Sequence, residues 1–233
     1  MSFARNEPPF GAIFDWDGVI IDSGKLHERS WQKLASEIGK TIAPQSFLRG
    51  FGRKTEYIIP EIHGWTRDAT EINRLSDRKE ELYRELVRES ALAPLPGVET
   101  WLRALKKSGV PCVVASSTHR ANIDTILDRL GLQEAFDAVV SAEDVTHGKP
   151  NPEVFLVAAQ RIGVPPVRCV VFEDAHVGIE AAHAGEMRAV AVTTTHSAED
   201  LAAADLVVKR LDELTIEKVV ALLPPSSLGK VSR

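Results

Sequence analysis

Residues 10–24 read FGAIFDWDGVIIDSG, and the break inside that stretch decides the fold. Residues 11–14 form a short apolar run without polar alternation, the pattern of a strand buried on both faces. Two carboxylates, Asp15 and Asp17, follow at once, and Asp17-Gly18 by itself is also a good turn dipeptide. Runs of the same kind recur at residues 110–115, 136–140, 169–172, 189–192 and 206–208. Helix-length amphipathic segments separate most of them, at 98–107, 121–130, 152–162 and 176–184. Strands alternating with helices at this spacing predict βαβ units, hence a parallel sheet with helices on both faces and right-handed crossovers. Gly109, Gly131, Gly163 and Gly185 each stand just past a helical pattern, where glycine suits the left-handed C-terminal turn.

Residues 24–91 break this rhythm. They hold no strong strand, but Leu26, Trp31, Leu34, Ala35 and Ile38 fall on one helical stripe, and Leu75, Leu82, Leu86 and Ala93 on a later one. A helical insertion therefore follows the first strand as a second, smaller domain. The expected division is a core of residues 1–22 and 93–233 and a cap of residues 23–92, with hinges near Ser23-Gly24 and at 94–97. Residues 50–55, GFGRKT, lack the full GxxxxGK[ST] spacing and follow no buried strand, so they are read as a loop of the insertion, not a nucleotide loop.

With 233 residues, 44% apolar and 26% charged, the chain can bury a sizeable core and is far from the composition of disorder. A formal net charge of −5 without a dense Lys/Arg block argues against nucleic acid or a membrane surface as partner; a small anion would need a local positive site. Cys112 and Cys169 each lie inside an apolar run, which predicts buried thiols in a reducing compartment. The N-terminal MSFARNEPPF has no apolar signal core, and no stretch reaches the ~18 apolar residues of a membrane span. A cytoplasmic protein, monomeric or weakly dimeric, with a frayed tail at 224–233, is expected.

In a parallel α/β sheet, ligands bind beyond the carboxyl ends of the strands. The polar residues after the apolar runs are Asp15 and Asp17, then Ser116, then Glu173 and Asp174, with Lys149 in HGKPNPE ahead of the helix at 152–162. Clustered carboxylates raise one another's pKa unless a cation neutralises them, and hard oxygen ligands in a partly open site suit Mg²⁺, which keeps waters and meets phosphate.

These residues resemble the haloacid dehalogenase superfamily of aspartyl-phosphate enzymes. Its four motifs appear in order: Asp15-x-Asp17-Gly18-Val19, the VVAS ending at Ser116, Gly148-Lys149-Pro150-x-Pro152-Glu153-x-Phe155, and VFEDAHVGIEAA with Glu173 and Asp174. The resemblance implies a Rossmann-like α/β core with an inserted four-helix cap. It also implies Asp15 as nucleophile, since a carboxylate is ionised at neutral pH and its acyl phosphate divides one hard displacement in two. Asp17 would be the general acid and then base, with a pKa above that of Asp15. Mg²⁺ would meet Asp15, the Asp17 carbonyl, Asp174 and Glu173, while Lys149 and Ser116 would hold the transferring oxygens. The second aspartate, Asp17, speaks against a dehalogenase, because halide leaves without a proton.

Within the superfamily, DGVIIDSGKLHERSW, LRGFGRKTE and DRKEELY resemble the β-phosphoglucomutase and sugar-phosphatase branch. That implies substrate contacts at His27, Arg53 and Lys79 from the cap and at Ser117, Thr118 and His119 after the second strand. A guanidinium such as Arg53 can grip phosphate in bidentate fashion. The branch typically has lysine at His119 and asparagine at Arg120, so mutase geometry is not reproduced. The expected activity is Mg²⁺-dependent hydrolysis of a small phosphorylated metabolite such as a sugar phosphate. The alternatives are a phosphohexomutase and a non-enzymatic, receiver-like phosphorylation switch.

Overall fold

The computed structural model describes residues 8–50 and 53–225; the expectations for residues 51–52 of the GFGRKT loop and for 226–233 of the tail lie outside them. Six strands, β1 (Gly11–Phe14), β2 (Cys112–Ala115), β3 (Ala138–Val140), β4 (Cys169–Glu173), β5 (Arg188–Val192) and β6 (Leu206–Val208), form one sheet in the order β3-β2-β1-β4-β5-β6. Every pairing is parallel. β1 lies in the middle, with Ile13 beside Val113 on one flank and Val171 on the other. All four of its residues are buried, which is why its sequence shows no alternation. β2 starts at Cys112, later than its apolar run, because Pro111 has no N–H for the ladder; its carbonyl still accepts from Ala12 N at 2.9 Å.

Successive residues of the strands face opposite sides. Ala12, Phe14, Val114 and Phe172 join the apolar cluster that includes Trp101 and Ile123, from α5 (Val98–Lys107) and α6 (Arg120–Leu130). Ile13, Val113 and Val171 join Phe155 and Ile179, from α7 (Glu153–Arg161) and α8 (His176–Ala184). A last short helix, α9 (Ile216–Val220), buries Val219 against the first of these clusters. Gly109, Gly131 and Gly163 take the left-handed conformation, but Gly185 does not: it caps α8 at φ −87°, and Glu186 takes the positive φ of 60° instead. Both cysteines are buried and free, their thiols pushed up to about 12 by burial, with Asp137 adding to the effect at Cys112.

The insertion comprises α1 (Gly24–Glu37), α2 (Ser46–Gly50), α3 (Thr55–Tyr57) continuing as a π-helix over Ile58–His63, and α4 (Ala69–Glu89). Trp31, Leu34, Ile58, Ile59, Leu75 and Leu82 give it an apolar cluster of its own. Leu26, Tyr83, Leu86 and Val87 instead join the sheet's cluster. Ala93 was expected on the stripe of α4, but that helix stops at Glu89 and Ala93 is exposed. The two chain crossings lie side by side, Leu95 N donating to Ile20 O at 2.8 Å. Among the described residues no helix is long and apolar enough to cross a membrane.

Candidate active site

The carboxyl rim of the sheet gathers the core motif residues. Asp15 follows β1 and is 4% exposed; Glu173 ends β4 and Asp174 follows it, both fully buried. One oxygen from each of the three carboxylates lies within 4.8 Å of the others. Lys149 Nζ enters the group, donating to Asp15 Oδ1 at 2.7 Å and Glu173 Oε1 at 2.5 Å. Burial works against its charge, but Asp15 and Glu173 together outweigh this and hold its pKa above the usual value. The other oxygen of Glu173 accepts from the main-chain N–H groups of Asp174 and Ala175, each at 2.8 Å, so Glu173 fixes both the lysine and the loop after β4. Gly18, at φ 82°, makes room for this cluster: a Cβ there would stand 1.8 Å from Asp174 Oδ2.

Three carboxylates against one ammonium leave an excess of negative charge. Burial raises the pKa of Asp15 to about 7, with Glu173 and Asp17 adding to the rise and Lys149 opposing it. Asp174 is also raised well above the carboxylate range, by burial and then by Glu173 and Asp15. Its Oδ2 accepts from Thr195 Oγ1, and its buried Oδ1 has no hydrogen-bond partner. An unpartnered buried carboxylate oxygen beside two further carboxylates fits a divalent cation with hard oxygen ligands, of which Mg²⁺ is the one suited to phosphate.

Asp17 sits in the opposite electrostatic setting. Its carboxylate accepts from Ser23 Oγ, from Thr118 Oγ1 at 2.5 Å and from His27 Nε2 at 3.2 Å. Burial opposes ionisation, but His27, Ser23 and Thr118 outweigh it and hold the pKa below the carboxylate range. The expected order, Asp17 above Asp15, is thus reversed: the donors converge on Asp17, whereas Asp15 is crowded by carboxylates. His27 Nδ1 in turn lies 2.8 Å from Lys79 Nζ.

Lys79 and Glu80 are both 3% exposed and 3.0 Å apart. Glu80 also accepts from Thr55 Oγ1 at 2.8 Å and Asn122 Nδ2 at 2.6 Å. Its pKa is lowered to about 2, burial being outweighed by Lys79, His27 and His119. Ser116 is buried, its Oγ accepting from Thr118 N at 3.1 Å. Ser117, Thr118 and Arg53 line the cavity at the rim, Arg53 with its guanidinium 4.8 Å from the Tyr57 ring centroid. His119 lies between carboxylates, 3.3 Å from Glu143 and 3.6 Å from Glu56.

The cavity, about 340 Å³, is bounded by Asp15, Asp17 and Ser116–Thr118 on the core side and by the insertion on the other. Sequence reasoning missed Ser23, Glu80, Asn122 and Thr195. A signal for Thr195 existed, because TTTHS follows the run at 189–192 and so falls on the same rim.

The haloacid dehalogenase-like hydrolase model matches residues 11–185, the span that carries Asp15, Asp17, Ser116, Lys149, Glu173 and Asp174 but not Thr195. The chain belongs to that family. It is 39% identical over 208 residues to the chloroplastic 5-amino-6-(5-phospho-D-ribitylamino)uracil phosphatase of Arabidopsis thaliana, across 88% of this chain and 56% of the relative, so it spans little more than half of that protein. It is 37% identical to the fructose-1-phosphate phosphatase YqaB of Escherichia coli, across 78% of this chain and 95% of the relative. Among solved structures, the β-phosphoglucomutase of Clostridium difficile superposes with a TM-score of 0.81 at 30% identity, covering 91% of this chain and 96% of that one. This haloacid dehalogenase-like protein is therefore an enzyme of a family whose relatives are named as phosphatases and a phosphomutase.

Proposed function

We propose that this family member is a Mg²⁺-dependent phosphomonoesterase that passes the phosphoryl group of a small phosphorylated metabolite, a sugar or polyol phosphate, through Asp15 to water. The observation that carries the reading is the juxtaposition, at one end of a single cavity, of Asp15 clamped by Lys149 and Asp17 held by three donors. An Asp15 oxygen attacks phosphorus as the ester oxygen departs, and Asp17 supplies the proton that the departing oxygen needs. Water then attacks the phosphorus carried on Asp15, Asp17 takes its proton, and inorganic phosphate leaves. The donors around Asp17 favour its carboxylate form, the one required of that base. Protonation for the acid step requires its donors to withdraw. Lys149 and Ser116 hold the charged oxygens during transfer. Asp15, Asp174 and the Asp17 carbonyl would hold Mg²⁺, with Glu173 beside them, and the ion supplies charge stabilisation to the phosphoryl group.

The mutase is the second reading, favoured by the 30% identical structural neighbour. It needs a cationic grip on a second phosphate. Lys79 is already committed to His27 and Glu80, which leaves Arg53 as the insertion's candidate and favours water as acceptor. A panel of sugar and polyol phosphates with Mg²⁺ is expected to release phosphate in molar yield. Isomer formation without release would install the mutase instead, and phosphoprotein without turnover would sink both.

A further inference from the structure

The stretch GFGRKT supplies two neighbouring cations with different surroundings. Arg53 lines the cavity, while the half-buried Lys54, which precedes α3, reaches across to the core. Its Nζ donates to the main-chain carbonyls of Ala142 at 2.7 Å and Val145 at 2.6 Å, 88 and 91 residues further along the chain. Among the described residues no carboxylate forms an ion pair with it. A second groove, lined by Arg53, Lys54 and Tyr57 from the insertion and by His147, Lys149 and Asn151 from the core, marks the seam that this side chain bridges. A Cβ at Gly148 would stand 3.2 Å from Lys54 Cγ, so the bare glycine lets the lysine stem lie against the loop.

The carbonyls it meets belong to a loop that is fixed from the core side. Ser141 N and Oγ donate to Asp144 Oδ2 at 2.8 and 2.9 Å, and Arg161 pairs with Asp144. Thr146 N and His147 N donate to Glu153 at 2.9 and 2.8 Å. Ala142 N donates to Thr118 O at 3.0 Å, and Thr118 Oγ1 in turn holds Asp17. The acceptors of Lys54 are therefore preformed, and it is the insertion that its bonds place. On that side the Lys54 carbonyl opens α3, accepting from Tyr57 N and Ile58 N at 3.0 and 3.1 Å, and Thr55 Oγ1 donates to Glu80. Arg53 thus adjoins a turn with one anchor in the insertion and one in the core. Two residues on, Glu56 faces His119 of the core at 3.6 Å. Hydrogen bonds from an ammonium are stronger than those between neutral groups, and the rotatable donors of lysine can serve two carbonyls at once.

Resting on the phosphomonoesterase reading for its kinetic effect, we propose that Lys54 is a positioning residue: it fastens the insertion to the loop after β3 and so holds Arg53 over the cavity, where the organic part of the ester lies. Lys54→Met keeps the stem and removes the donors. With Mg²⁺ and the best ester of a sugar and polyol phosphate panel, kcat/KM should fall towards the ~100-fold that a misplacement of about 1 Å can cost. The loss should come chiefly through KM, as befits binding contacts made in ground and transition states alike. Inorganic phosphate, held by Lys149 and Ser116 in the core, should inhibit the natural chain and the variant with the same Ki. An unchanged KM, or a Ki that rises in step with KM, would overturn the proposal. Amide hydrogen exchange of the full chain reads the same bonds without turnover. Residues 55–63 should exchange faster in the variant and the sheet at its natural rate; equal acceleration in the sheet would mark general loosening and overturn the proposal as well. Faster exchange confined to 55–63, in a protein whose natural chain turns over no ester, would sink the phosphomonoesterase and keep the fastening. Turnover with exchange unmoved would do the reverse.

Discussion

The rim of the sheet and the wall of the insertion both bury charge, yet they balance it differently. At the rim Asp15, Glu173 and Asp174 share one lysine, and an Asp174 oxygen is left without a partner. In the wall Lys79 and Glu80 answer each other, and Thr55 and Asn122 take up the remaining capacity of the glutamate. The rim keeps an excess of negative charge. The Lys79–Glu80 pair is balanced as it stands. Chemistry is therefore concentrated where charge is unbalanced, and the balanced pair serves to hold His27 against Asp17.

The largest effect should come from the rim. Asp15→Asn keeps the shape but removes the attacking oxyanion, and phosphate release should fall by ~10⁴-fold or more, in line with the loss of other enzymic nucleophiles. Turnover near the natural rate would remove Asp15 from its role and erase the contrast.

The wall responds in stability. Glu80→Gln leaves the Lys79 charge buried without its counter-ion and should cost ~3–5 kcal/mol in denaturant unfolding, whereas replacing both residues by apolar ones of similar volume should restore most of it. A single substitution as mild as the double would show that the pair is not a closed unit.

The smallest effect is on the pH dependence of stability. Asp15 and Asp174 have folded pKa values above their unfolded ones. Their ionisation is therefore resisted by the fold, and with a chelator present the protein should lose stability as pH rises from about 4 through about 7. Asp17 and Glu80, depressed in the fold, contribute stability that is present above their unfolded pKa values and is lost only in strong acid. Added Mg²⁺ should flatten the first slope and leave the acid limb in place. Thermal melts at several pH values, with and without the ion, read both; an unchanged slope on adding Mg²⁺ would break the distinction.

The strands and rim residues were legible because each apolar run ends in a polar residue at a place the parallel sheet makes functional. The insertion was legible as helix but not as electrostatics. Lys79 and Glu80 are adjacent in sequence, where helical neighbours do not usually face each other, so nothing in DRKEELY announces that one neutralises the other. Lys79 was expected at the substrate from the resemblance of DRKEELY alone, and it lines the cavity with Glu80 beside it. The π-helical turn across Ile58–His63 was equally hidden, since its apolar pattern alone does not report a widened helix. Gly185 failed as a left-handed stop because the turn closes one residue later, at Glu186.

α4 takes part in two apolar clusters at once: Leu75 and Leu82 belong to the insertion, Tyr83, Leu86 and Val87 to the sheet. Mechanically it is a lever clamped at one end. At 1.5 Å rise per residue the arm from Tyr83 to Ala69 is ~21 Å long, and a tilt of ~5° about the clamp would carry its tip ~2 Å. Adjustments too small to disturb packing beneath the rim are thereby magnified at the far end of the insertion.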